Sequence, residues 1–245
     1  MDAERRQQYL NAMGIVPWVR RDPMVAGMQP RLIGEQAPPV ETTEAEALLP
    51  DRETVVSATV PQAWEALRDE VAKCRACELH RSRTHTVFGV GAQNAGLMII
   101  GEAPGAEEDR QGEPFVGRAG RLLDAMLHAI GLGRDQVFIA NILKCRPPGN
   151  RNPRPDEVAA CGHFLEQQLA LVQPRLILAL GAVAAHNLLH TDDAVGRLRS
   201  RVHSYGEAAI PLLVTYHPAY LLRRPEEKAK VWEDLQKLHG LLQDI

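Results

Sequence analysis

Short apolar runs alternate with helical segments from residue 97 to residue 242, and this alternation constrains the fold more than any other feature of the chain. Residues 97–100 end in Gly101 and read as a buried strand. A helix over 117–130 follows, with Leu122, Leu123, Met126, Leu127 and Ile130 apolar at helical spacing. Residues 137–143 give a second strand, and Pro155 opens a helix with Asp156 and Glu157 in its first turn. Strands at 176–180 and 212–215 and helices at 182–189 and 225–242 complete the series. Strands alternating with helices argue for a parallel sheet covered on both faces. The expected fold is therefore α/β, three layers α/β/α around a central four-stranded, mostly parallel sheet. Upstream, Pro61, Trp64, Leu67 and Val71 predict a helix at the start of an ordered domain over 59–245. Residues 22–58 hold Pro23, Pro30, Pro38, Pro39 and Pro50 with no period and read as a flexible acidic linker. Residues 1–21 stand apart as a short N-terminal peptide.

In open parallel sheets a ligand binds at the carboxyl ends of the strands. That rule selects Glu102-Ala103-Pro104-Gly105 after the first strand. It selects Asn141, Lys144 and Cys145 after the second, and Tyr216-His217-Pro218 after the fourth. A carboxylate, an amide and an imidazole are thereby expected at one edge. The loop Glu113-Pro114-Phe115-Val116-Gly117 leads into the next helix, and Phe115 offers an aromatic face for a planar ring, or else a core plug. G-x-G-x-x-G, G-x-x-x-x-G-K-[ST] and G-x-S-x-G are all absent. Dinucleotide binding, nucleotide hydrolysis and a serine nucleophile elbow are therefore not indicated.

The chain has four cysteines, Cys74, Cys77, Cys145 and Cys161. The start of the chain lacks the apolar core of a secretory signal, so a disulfide framework is not expected. Four thiols in a reducing compartment point to a metal centre. The C-x-x-C pair followed by two separated cysteines fits an iron–sulfur cluster and a zinc site equally, with four unlinked thiols as a third reading.

Net charge is −3, but it is uneven: residues 1–70 carry −5 and residues 71–245 carry +2. Lys144, Arg146, Arg151 and Arg154 form a basic run without an acid among them. Arg197, Arg199 and Arg201 form another, and Arg223-Arg224 a third. Such loops either grip phosphates or are simply solvated.

Taken together, Gly101-Glu102-Ala103-Pro104-Gly105, Pro114-Phe115-Val116-Gly117-Arg118-Ala119-Gly120, Asn141-Ile142-Leu143-Lys144-Cys145-Arg146-Pro147-Pro148 and His217-Pro218-Ala219-Tyr220 resemble the family 4 uracil-DNA glycosylases. The resemblance covers about residues 70–243. It implies a [4Fe–4S] cluster at one side of the fold, held by Cys74, Cys77, Cys145 and Cys161. It also implies removal of uracil from DNA, which requires flipping the base into a pocket. Phe115 would stack on the uracil beside Gly101 and Ala103. The Asn141 amide would pair with N3–H and O4 and reject cytosine. His217 would donate to O2 as charge builds there, and Glu102 would position water or face the sugar, with Glu108 a second carboxylate for that task. Family 1 relatives place an Asp and a Tyr where this chain has Ala103 and Gly105, so water activation and thymine exclusion need other groups. A covalently trapping branch uses a His in an inserted basic loop that is absent after Phe115, so ordinary turnover is expected.

Lys144, Arg151, Arg154 and Arg223 are the expected DNA contacts, with Leu221 or Leu222 either the wedge filling the gap left by the flipped base or packed at the start of a helix. Residues 5–18 are similar to the N-terminal peptide of the bacterial DNA polymerase III psi subunit, which suggests a clamp-loader contact through residues 1–21. The alternative is that this peptide packs on its own domain. No lysine stands out as a nucleophile, so a monofunctional glycosylase is expected, monomeric, cytoplasmic and away from membranes. The competing readings are a non-catalytic iron–sulfur protein that binds DNA or senses redox state, and a zinc-stabilised hydrolase.

Overall fold

The computed structural model describes residues 59–244. The expectations for residues 1–21 and 22–58 lie outside the described residues. The order of elements is α1 (Thr59–Lys73), β1 (Val90–Gly91), β2 (Leu97–Gly101), α2 (Ala106–Gln111), α3 (Arg118–Ala129), β3 (Phe138–Asn141) and α4 (Pro155–Val172). Then follow β4 (Leu176–Leu180), α5 (Gly181–Leu189), α6 (Val195–Leu198), β5 (His203–Tyr205), β6 (Ile210–Thr215), α7 (Pro218–Arg223) and α8 (Lys228–Asp244).

The sheet has six strands in the order β1-β3-β2-β4-β6-β5, not four. The four expected strands form its parallel centre, and β1 and β5 pair antiparallel at the two edges. Sequence periodicity passes over both edges for a physical reason. Val90–Gly91 is two residues long, and His203–Tyr205 is polar and only partly covered, so neither makes an apolar run.

The central strands are buried on both faces, as parallel strands require. Met98, Ile100, Phe138, Ala140, Ile177 and Ala179 face the layer formed by α1, α4 and α5. Leu97, Ile99, Ile139, Leu176 and Leu178 face the layer that holds α3 and α8. Trp64, Leu67 and Val71 carry α1 onto the first layer, each at most 2% exposed. Burial of that kind contributes about 1.5–3 kcal/mol per large apolar side chain. Helix α4 starts at Pro155 as its sequence dictates, and the Glu157 carboxylate accepts from the Arg154 N–H at 2.9 Å to cap it. No helix among the described residues is long and apolar enough to cross a membrane.

The chain leaves β2 toward β3 on one side and leaves β4 toward β5 and β6 on the other, so a crevice opens at the carboxyl ends of these central strands. Gly101 and Asn141 are register partners there. The two loops that continue from them are laced together, Ile142 N–H donating to Gly101 O and Leu143 N–H to Glu102 O, at 3.0 and 3.1 Å.

Candidate active site

A cavity of about 380 Å³ occupies this crevice, within the size range of small-molecule sites. Glu102, Ala103, Phe115, Asn141 and His217 line it, as the sequence suggested. So do Glu108, Pro147, Asn150, Asn152 and Tyr220. Gly101 does not line the cavity itself but lies against the side chains of Asn141 and Phe115, which do. A Cβ there would lie 2.4 Å from Asn141 Oδ1 and 2.7 Å from Phe115 Cζ, so only glycine lets the amide and the ring approach.

Asn141 ends β3 and is 2% exposed. Its Oδ1 is buried without a hydrogen-bond partner. An unmet buried acceptor costs about 1–3 kcal/mol, and such a group in a pocket wall is a place for a ligand donor.

Phe115 is buried with φ of +54°, a left-handed conformation that a bulky side chain rarely adopts. Three devices hold it there. Glu108 Oε1 accepts from the Val116 and Gly117 N–H groups, both at 3.0 Å. Arg134 donates to Phe115 O at 3.1 Å and also to Pro114 O, while pairing with Asp124 on α3 at 3.0 Å. Gly120 has no side chain to obstruct the Phe115 carbonyl, which a Cβ would meet at 1.7 Å. No local sequence pattern marks Arg134, because its partners lie 10, 19 and 20 residues away. Glu108 is bound into loop support rather than standing free beside a water site.

His217 caps α7, and its Nδ1 accepts from the Ala219 N–H at 3.1 Å. A backbone N–H can only donate, so Nδ1 carries the lone pair and the proton of the neutral ring sits on Nε2. Burial, with Arg223 adding to it and Glu108 opposing, pushes the imidazole down to about 4. The ring is neutral at physiological pH, and its centroid lies 5.6 Å from that of Phe115. Burial raises the Glu102 carboxyl above its ordinary value.

The four cysteines lie behind the pocket wall. Cys74 and Cys77 follow α1, Cys145 follows β3, and Cys161 is on α4. Among the described residues no three His, Cys, Asp or Glu side chains converge tightly enough to grip one metal ion. The four thiols instead ring one small cavity together with His80, Arg83 and Phe164. Donors point at the sulfurs: Arg83 to Cys145 Sγ at 3.1 Å, Lys144 N–H to Cys161 Sγ at 3.3 Å, and Ala76 N–H to Cys74 Sγ at 3.5 Å. Burial pushes Cys161 up to about 11 and raises Cys77 and Cys145, with these donors opposing it at Cys145 and Cys161. A sulfur-rich cavity with N–H donors aimed at it fits a multinuclear cluster bound by thiolates.

The basic run divides. Lys144 does not face DNA: it is 1% exposed, and its ammonium donates to Asn141 O at 2.8 Å and Gln168 Oε1 at 2.6 Å. Burial pushes it down to about 8. Arg151 lines the cavity but its guanidinium is held by the buried Glu157 carboxylate, so it shapes the rim. Arg154 and Arg223 are exposed. Arg199 is committed to Asp234 and Glu233 on α8. Leu221 is fully buried and cannot act as a wedge, whereas Leu222 is 38% exposed.

Residues 88–236 match the family described as the Uracil DNA glycosylase superfamily. The chain is 42% identical to a type-4 uracil-DNA glycosylase of Archaeoglobus fulgidus over 179 residues, covering 70% of this chain and 89% of that one. It is 41% identical to a type-4 uracil-DNA glycosylase of Thermotoga maritima over 189 residues, 75% of this chain and 97% of that one. A type-5 uracil-DNA glycosylase of Thermus thermophilus is 35% identical over 153 residues, 54% of this chain and 68% of that one.

Proposed function

The chain belongs to the uracil-DNA glycosylase superfamily, and we propose from its geometry how it hydrolyses the N-glycosidic bond of uracil in DNA to leave an abasic site. The observation that carries the proposal is the unpartnered, buried Oδ1 of Asn141 in a cavity shared with Phe115 and a neutral His217.

An extruded uracil stacks on Phe115 and presents its edge to Asn141. Oδ1 accepts from N3–H and Nδ2 donates to O4. Cytosine offers the opposite pattern and would leave both groups unmet, at about 1–3 kcal/mol each. As the C1′–N1 bond breaks, its electron pair leaves with the base and charge builds on O2. The Nε2–H of His217 donates there, as a neutral donor whose tautomer the Ala219 N–H fixes. Water adds to C1′, and the Glu102 carboxylate receives its proton or faces the sugar's positive charge, with its raised pKa favouring acceptance. We assign the exclusion of thymine to Glu108: a Cβ on Gly105 would lie 2.6 Å from its Oε2, so this carboxylate stands beside the position where family 1 relatives carry a Tyr.

Cys74, Cys77, Cys145 and Cys161 would hold a [4Fe–4S] cluster, which would supply a structural brace behind the pocket. Arg154 and Arg223 contact phosphates, and Leu222 is the wedge. Lys144 Nζ is occupied by two acceptors and buried, which supports a monofunctional enzyme without a Schiff-base step. The protein acts as a monomer in a reducing cytoplasm, and residues 1–21 serve as a clamp-loader contact. Retention of clamp-loader subunits by a peptide of residues 1–25 tests that contact, and no retention removes it.

The experiment that tests the activity is release of free uracil from U:G and single-stranded oligonucleotides. Wild type should release it, and Asn141→Ala and His217→Ala should each lose about 10²–10³-fold. A folded, iron-loaded wild type that released none would refute the proposal.

A further inference from the structure

Lys144 is among the largest fully buried side chains, yet both acceptors of its ammonium are neutral: Asn141 O at 2.8 Å and Gln168 Oε1 at 2.6 Å. Burying a charge whose direct partners are neutral is costly, and here only the Cys161 sulfur offsets that cost, without a direct bond to the ammonium. Gln168 is itself fixed, donating from Nε2 to Phe88 O at 2.8 Å. The Lys144 backbone is tied on both sides, its N–H to Cys161 Sγ at 3.3 Å and its carbonyl to the Val87 N–H at 2.8 Å. The segment from 141 to 144 therefore turns back on itself, and the side chain of its last residue grips the carbonyl of its first.

That grip matters because nothing bonds the Asn141 Oδ1 directly. The amide is placed by its own backbone and by the close approach of Gly101 and Phe115. We propose that Lys144 is a positioning residue for Asn141, and that residues 141–145 connect the sulfur cage to the base pocket. The inference rests on the reading of Asn141 as the amide that pairs with uracil. Lys144 touches neither the base nor the reacting bond. It acts by holding the Asn141 carbonyl, while its N–H holds one of the cage sulfurs.

The test uses the full-length holoenzyme with Lys144→Met, which keeps most of the apolar stem and removes the donor. Lys144→Gln, which restores a shorter donor, is made beside it. Iron content and visible absorbance establish that each variant keeps its cluster. The methionine variant should bind uracil-containing duplex with wild-type Kd but lose about 10-fold or more in single-turnover release, since sub-ångström misplacement of a reading group acts on the chemical step. The glutamine variant should recover part of the rate. In an Asn141→Ala background neither substitution should lower the rate further, because residues that act through one another are not additive.

A general packing defect would instead multiply with the Asn141→Ala loss, and that result overturns the inference. So does a folded methionine variant within about twofold of wild type. If methionine costs the cluster, the glutamine variant decides on the same two readouts. A wild type that releases no uracil removes the activity and this inference together. An active wild type with an unaffected methionine variant removes only the inference.

Discussion

Gly120→Ala is expected to disable the enzyme through the Phe115 loop. A Cβ at position 120 would lie 1.7 Å from Phe115 O and 2.2 Å from its carbonyl carbon. Atoms of this kind do not approach within about 3 Å, so helix α3 and the Phe115 carbonyl must separate by about 1.3 Å. The loop cannot yield freely. Arg134 binds Phe115 O and pairs with Asp124, which is on the same helix as Gly120. Separation therefore breaks one of these bonds or shifts the ring. Phe115 already sits at φ of +54°, where few alternatives exist for it. Overpacking of this size costs about 1–3 kcal/mol of stability. A displacement near 1 Å at a group that orients substrate costs about 10²-fold in rate. The assay is single-turnover uracil release by excess enzyme, with DNA affinity measured by fluorescence anisotropy. Gly240→Ala on α8 is the control, since nothing lies within 4 Å of that Cβ. It should keep the wild-type rate and gain about 0.5–1 kcal/mol from a better helix residue. A folded Gly120→Ala enzyme within about threefold of wild type would refute the steric reasoning.

Burial holds the Glu102 carboxyl above its ordinary value, so excision needing the carboxylate should fall as pH drops through that raised value, while His217 stays neutral down to about 4. Glu102→Gln should be slow and lack this acid limb, and a limb that survives would assign it to another group. Arg83→Leu removes a donor to Cys145 Sγ and to Ala72 O and should shed iron faster under a chelator; unchanged loss kinetics would show that the contact does not brace the cage. Arg154→Glu and Arg223→Glu should each weaken DNA binding and lower the salt slope by about one, and an unaltered slope would take either residue off the phosphates. Leu222→Ala should slow release from duplex while sparing single strands, and equal loss on both would exclude a wedge.

The parts of the site legible in sequence are those the strand ends dictate. Glu102, Asn141 and His217 each terminate or follow a buried apolar run, and the carboxyl-end rule brings them together without knowledge of their partners. What escaped depends on contacts across the sheet. Lys144 reads as a phosphate contact because it stands beside Arg146, and only α4 packing on β3 reveals that Gln168 receives it. Leu221 and Leu222 are indistinguishable as a pair, and helix α7 turns one inward and the other out. Val90–Gly91 and His203–Tyr205 carry too little apolar pattern to announce edge strands.

The relation between cage and pocket follows from which residues they share. The two cavities have no lining residue in common, so the cage does not touch the reacting bond. Both are nevertheless built from the same stretch of chain. Asn141 stands in the pocket wall, Lys144 N–H reaches Cys161, and Cys145 belongs to the cage four residues after Asn141. The rim residues Pro147, Asn150, Arg151 and Asn152 lie between Cys145 and the start of α4 at Pro155, a segment with one short helical turn and little apolar content. Such a loop has few buried contacts of its own to order it. Anchoring its two ends, at Cys145 and on α4, reduces the freedom it would otherwise lose on binding DNA. Held at both ends, a polar, Pro-rich loop serves as a preformed rim, while the sheet fixes Asn141 and His217 from below.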